Sequence, residues 1–424
     1  VRRRLPLGLA GSLTTAAIAA VSLCAGQFSD LSADLVREPA IAYFTRPATD
    51  RIARLNDDLQ HGRAQLAFDP AQGYLPSILR ALRMPVSSQL LVFTRSSVQA
   101  PRISPRNPRA IYFDDTVTLG FIPGAELLEF AAEDPRQGVV FYTLDQRAAE
   151  KPVIERRDFC LSCHNTRSTL EVPGFLVRSI ATTVTGAPAP MYGNYTSDHR
   201  SPFDERWSGY YVTGRHGSLA HLGNAMLADR GSERRVTGDT LNLESVADRF
   251  DAVKYPSPHS DIVALLVFEH QMHMINLLTR IGWDARVLAS APRADAPAIL
   301  ARSADELVDY LLLADEPPMP AAVTGTSGFA DMFASEGPAD RRGRSLRQLD
   351  LKTRLLRYPC SYMIYSEAFD ALPPPARDAI YRRMWRVLSG KAADPRYARL
   401  SAADRRAIVE ILRDTKHDLP VYFR

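Results

Sequence analysis

Cys160, Cys163 and His164 stand in the string CLSCH, which packs two thiols and an imidazole into five residues. On a helical turn, this spacing between the thiols matches the separation of the two vinyl groups of a porphyrin. A histidine directly after the second cysteine is then placed to grip the iron. Two other chemistries use a close thiol pair. Zinc needs four ligands, and without a second CxxC only Cys360 and a histidine are left to complete the set. A dithiol redox centre wants a strand running into a helix, and the flanking residues give no sign of one.

The iron of an electron carrier has both axial positions filled, whereas an enzyme keeps one open or displaceable. Downstream of His164 the candidates for the sixth position are His216, then His221 and His199, with Met226 and Met191 as thioether alternatives. His199 sits in the turn-like YTSDHRSP, and His216 and His221 flank the glycine-containing RHGSLAHLGN. Each of them also reads as an ordinary hydrogen-bonded loop residue. Arg206 and Arg215 are candidates to pair with the porphyrin propionates. The neighbouring Tyr192, Tyr195, Trp207, Tyr210 and Tyr211 read as core packing beside an apolar cofactor.

A second constellation falls on the apolar stretch from Ile262, which carries Glu269, His270, His273 and Asn276. Glu269, His273 and Asn276 are spaced i, i+4 and i+7, so they share one side of a helix. Burying such groups costs roughly a few kcal/mol each unless they are paired. They read as a polar seam between helices, as the lining of a distal pocket or propionate contact, or as ligands of a second metal. If the iron has an open site, His216, Arg215 and His273 are the candidate acids or bases. Cys360, in the apolar RYPCSYMIYS, reads as a small buried residue.

These residues need a scaffold, and the pattern around them implies an α+β fold. Residues 31–88 read as an N-terminal helical cap, with helical spacing over Asp50–Gln60 and over Tyr74–Met84 until Pro85 stops it. Residues 89–258 read as a β-rich region that binds the cofactor. In it LLVFT, AIYF, VTLGFI, LLEFAA and VVFYTL are short branched and aromatic runs separated by turn formers, the pattern of an antiparallel meander. The part from residue 150 to 258 holds the CLSCH string and is expected to be loops and short strands. Residues 259–424 read as helical, with Ile262–Leu278 apolar nearly all round. Ser303 and Glu306 look like a capping box opening ADELVDYLLLA, and the last helix starts after Ser401.

The chain has 424 residues, 46% of them hydrophobic and 24% charged, ample for a large core and against overall disorder. Its first residues follow an export pattern. Arg2, Arg3 and Arg4 precede the uncharged LPLGLAGSLTTAAIAAVSLCAG, so residues 1–26 are expected to be a signal peptide or an N-terminal membrane anchor. Loss of those arginines brings the formal charge of +4 to about +1, which gives no reason to expect nucleic-acid binding. Only four cysteines are present, too few for a disulfide scaffold.

In CLSCH the chain resembles the c-type cytochromes. The resemblance implies one haem c, thioether bonds from Cys160 and Cys163, and His164 as the proximal iron ligand. The wider chain is not similar to the small helical cytochromes. It resembles a group of long, exported, single-haem bacterial proteins of unassigned reaction, in which phrases such as RISPRNPRAIYF, ERWSGYYVTGRHG and LRYPCSYMIYS recur. That likeness covers most of the mature chain and implies a periplasmic address and a redox role. The partner would be a redox protein or a small-molecule substrate. A haem enzyme with an open distal iron, or a non-catalytic haem-binding structural or sensor protein, are the other functions it leaves. A haem needs about 100 residues to enclose it, so the remaining length argues for more than a minimal carrier.

Overall fold

The alternating runs from Gln89 onward do pair as an antiparallel meander. The computed structural model describes residues 34–228, 241–392 and 394–423, so the expected signal or anchor over 1–26 lies outside the described residues. The strands are β1 (Leu90–Val92), β2 (Arg109–Phe113), β3 (Val117–Phe121), β4 (Leu127–Asp134), β5 (Gly138–Asp145) and β6 (Ile154–Arg156). They are joined by turns in sequence order, and the order across the sheet is the order along the chain. Two shorter strands, β7 (Arg178–Ile180) and β8 (Asn194–Thr196), pair separately. The two-residue β9 (Tyr210–Tyr211) returns to cover the free edge of β1. Between β6 and β7 the CLSCH residues form the one-turn helix α3 (Leu161–His164).

Because side chains alternate across a pleated sheet, the meander has two inner faces. Leu91, Tyr112, Leu119, Phe130, Val140 and Tyr142 face the N-terminal cap, whose helices are α1 (Arg51–Gln60) and α2 (Leu75–Ala81). Asp50 caps α1 on the amides of Ile52 and Ala53, and Tyr142 on β5 donates to its other oxygen. The cap is less helical than its patterning implies, with turns making up most of the segment outside these two helices.

The opposite face, with Val92, Phe113, Ala131, Val139 and Phe141, packs against the C-terminal half. The dominant element there is α4 (Ile262–Ser290), buried over nearly its whole length, as its all-round apolarity requires. It continues twelve residues beyond the expected Leu278 end. It is also the one helix among the described residues long and apolar enough to cross a membrane, and it lies inside the protein. Around it pack α5 (Ala296–Leu311), α6 (Phe329–Ser335), α7 (Glu367–Asp370) and α8 (Pro374–Leu388), and α9 (Ala402–Thr415) packs on α8. The structure corrects one helix start. α5 begins after Asp295 with Pro297 in its first turn, so Ser303 lies inside it and donates to Asp284 of α4 at 2.9 Å instead of capping. At α9 the expected start holds, with Ser401 and Asp404 in a reciprocal capping box.

Candidate functional site

The CLSCH turn lies over the face of the sheet that looks toward α4. The chain leaves β6 with Arg157, whose amide donates to the Phe141 carbonyl and whose Nε donates to Thr143, both on β5. A 3₁₀ turn over Asp158–Cys160 then runs into α3. Cys160 is half-buried and Cys163 exposed, and both are free thiols. The His164 ring packs on Phe141, with ring centres 4.8 Å apart.

The next ten residues fold back to hold His164 from behind. Gly174 N–H donates to the His164 carbonyl at 2.9 Å, and His164 Nδ1 lies 3.0 Å from the Gly174 carbonyl oxygen. A carbonyl oxygen only accepts, so Nδ1 must carry the proton, and in the neutral ring Nε2 is left with its lone pair. Burial lowers the His164 pKa, which favours that neutral form, while Gly174 and Glu129 pull the other way.

The returning loop is itself clamped. Leu170 and Glu171 take left-handed backbone conformations. The Leu170 carbonyl accepts from Arg280 of α4 at 2.9 Å. One helical turn earlier, Asn276 meets Phe175 in both directions: its Oδ1 accepts from the Phe175 amide and its Nδ2 donates to the Phe175 carbonyl, each at 2.8 Å. Pro173 offers its carbonyl to Val139 at the start of β5. Sheet and long helix together fix the carbonyl that sets the imidazole.

The residues fit a covalent porphyrin better than the two rival chemistries. Burial pushes the Cys160 thiol up to about 11, the opposite of the depressed value of a reactive dithiol. No group of three or more His, Cys, Asp or Glu side chains suited to a metal ion occurs among the described residues. Cys360 is fully buried in the helical core, as expected. Phe159, directly before the motif, is 54% exposed, and Val98, between two residues that bond Glu129, is 57% exposed.

The other sequence candidates are placed as follows. His216 and His221 face each other, with their Nε2 atoms 3.2 Å apart. His221 Nδ1 accepts from Gly223 and His216 Nε2 also accepts from Asn242, so His221 donates and His216 receives. His199 Nδ1 lies 2.8 Å from His270 Nδ1, and His270 Nε2 lies 2.7 Å from the Ser361 hydroxyl. His273 contacts Arg200, which pairs with Asp198, and packs on Tyr310. Arg206 is engaged by Glu269 at 3.1 Å and by the carbonyls of His199 and Ser201. Arg215 is exposed and pairs with Glu244. Met226 is partly buried against the cap-side core, whereas Met191 is 84% exposed on the connection between β7 and β8.

Thus Glu269, His270 and His273 belong to a polar seam between α4 and the 197–206 loop. Asn276 alone of that set reaches the loop behind His164. Sequence reasoning missed Gly174, Phe141, Arg109 and Glu129. The Pro173-Gly174 pair is a turn signal a few residues past the motif. Comparison of the chain with family models, with curated proteins and with solved structures found no match.

Proposed function

We propose that the protein is an exported, periplasmic c-type haem protein, with one haem held by Cys160 and Cys163 and ligated by His164, that acts in electron transfer. The observation that carries this reading is the hydrogen bond between His164 Nδ1 and the Gly174 carbonyl. It leaves Nε2 as the free donor on the ring that follows the second thiol, and such a partner raises the donor strength of a ligating imidazole. When bound, the haem supplies one-electron chemistry at its iron. The chain's own residues do the rest. Cys160 and Cys163 supply two thiols from one turn, Phe141 fixes the ring plane of His164, and Phe159 and Val98 offer apolar surface for a flat ring. The periplasmic address rests on the leader-like residues 1–26 and on thioether attachment taking place outside the bacterial cytoplasm.

A second reading, a haem enzyme with an open distal iron, is favoured by one observation. His221 has both ring nitrogens engaged, by His216 and by the Gly223 amide, so filling the sixth position from it requires breaking one of those contacts. Absorption spectroscopy of protein matured in a bacterial periplasm tests both readings. A pyridine haemochrome with two thioether links is expected, and it should be lost in the C160S/C163S double variant. Low-spin iron inert to carbon monoxide marks the carrier, and high-spin iron that binds it readily marks the enzyme. Colourless protein with both thiols free would refute the haem assignment.

A further inference from the structure

Beside the CLSCH turn, the sheet carries a charged pair on the face that looks toward α4. Arg109 on β2 and Glu129 on β4 flank Gly120 of β3. Arg109 Nη1 donates to Glu129 Oε2 at 3.3 Å, and Glu129 Oε1 accepts from Ser97 at 2.6 Å and from Gln99 at 3.1 Å. The carboxylate is therefore well supplied with donors, while Arg109 keeps a buried Nε–H with no partner. The charges of Arg109 and Glu129 both bear on His164, and that of Glu129 on Cys160. Gly120 has no side chain to cover the pair: a Cβ there would lie 3.4 Å from Glu129 Oε2 and 3.6 Å from Arg109 Cδ. A glycine within a strand often marks a place where another group comes close.

We propose that Arg109 binds a carboxylate of the haem, a propionate, over the clearance left by Gly120, and that Glu129 is a positioning residue that holds its guanidinium. This rests on the haem reading above. An unpaired buried donor is costly, and a guanidinium has donors to offer a second carboxylate after meeting the first. The arginines singled out from the sequence for this task are engaged elsewhere, Arg206 with Glu269 and Arg215 with Glu244.

The test compares wild type, R109Q, R109K and the control R63Q, all matured in the periplasm. Arg63 is exposed and paired with Asp57 and Asp58 in the cap. Haem content, thermal stability and the midpoint potential as a function of pH are measured for each. R109Q should keep its covalent haem but lose a cation beside the iron, which disfavours the reduced state. The one-electron equilibrium should shift about tenfold toward oxidised, about 59 mV. The pH at which the potential bends should rise, because a carboxylate without its cation holds its proton more tightly. R109K should fall between R109Q and wild type, and R63Q should match wild type. Haem-loaded R109Q with the wild-type potential and pH profile overturns the assignment of Arg109 and leaves the haem reading intact. Wild type without haem overturns both.

Discussion

At the scale of single residues, the His164 imidazole depends on a backbone carbonyl, and that carbonyl depends on two side-chain details. Gly174 must be glycine because a Cβ there would lie 2.3 Å from Asn276 Oδ1. Asn276 must offer one acceptor and one donor to Phe175, and aspartate supplies only the acceptor. N276A leaves a buried amide and a buried carbonyl without partners and should cost about 2–4 kcal/mol in denaturant unfolding. N276D should cost at least as much, because its buried carboxylate keeps the Phe175 amide but sets an oxygen against the Phe175 carbonyl. In haem-loaded protein N276A should also disturb the iron ligand field, since the Gly174 carbonyl loses its neighbouring anchor. A N276A protein as stable as wild type would show that the loop is held by other contacts. The sequence placed Asn276 on the correct side of its helix. It did not reveal the partner, because Phe175 lies 101 residues away and no local period reports on it. The histidine candidates show a related limit. Residue type and clustering say which side chains could bind iron, but not which ring nitrogen another histidine already holds.

At the scale of elements, α4 connects everything the site uses, and its start is fixed by one carboxylate. Asp261 Oδ1 accepts from the amides of Val263 at 2.7 Å and Ala264 at 3.4 Å, the capping geometry of a helix start. Its Oδ2 accepts from the amides of Thr326 and Ser327 and from the Ser327 hydroxyl, which ties the link between α5 and α6 to the same point. D261A should therefore cost about 3 kcal/mol or more, above an ordinary cap loss of about 1 kcal/mol, because it strips two segments at once. A fall no larger than an ordinary cap loss would mean that the link is held independently. The elements with strong local signals were the ones legible beforehand: the five meander runs, the start of α9 after Ser401 and the apolar α4. Those decided by distant contacts were not. β9 is two residues long and exists because β1 has a free edge to fill. α5 starts earlier than Ser303 because Asp284 of α4 engages that hydroxyl.

At the scale of the whole molecule, cap, sheet and helices follow one another along the chain but share one sheet, which buries a separate core on each face. That arrangement takes several titratable groups out of water, and they make stability depend on pH from both sides. Glu133 on β4 is buried with both carboxyl oxygens unpartnered, and burial pushes its pKa from 4.5 up to about 8. An acid that holds its proton more tightly when folded contributes stability that is complete below pH 4.5. That contribution is lost as pH rises through about 8. His221, His270 and His273 act in the opposite sense, since burial lowers them from 6.5 to about 3, 3 and 4. Their contribution is complete above pH 6.5 and is lost as pH falls through those values. Glu269 and Glu316, which burial raises from 4.5 to about 7, act in the same sense as Glu133 but are spent by about pH 7, so Glu133 is the one of these groups that still lowers the melting temperature between pH 7 and 8. E133Q removes the group among these whose effect reaches the highest pH. Its melting temperature should stay level from pH 7 to 8, where wild type declines, and should still fall in acid. Parallel curves for wild type and E133Q across that range would mean that Glu133 is already ionised in the folded protein, with a cation or water supplying what its oxygens lack.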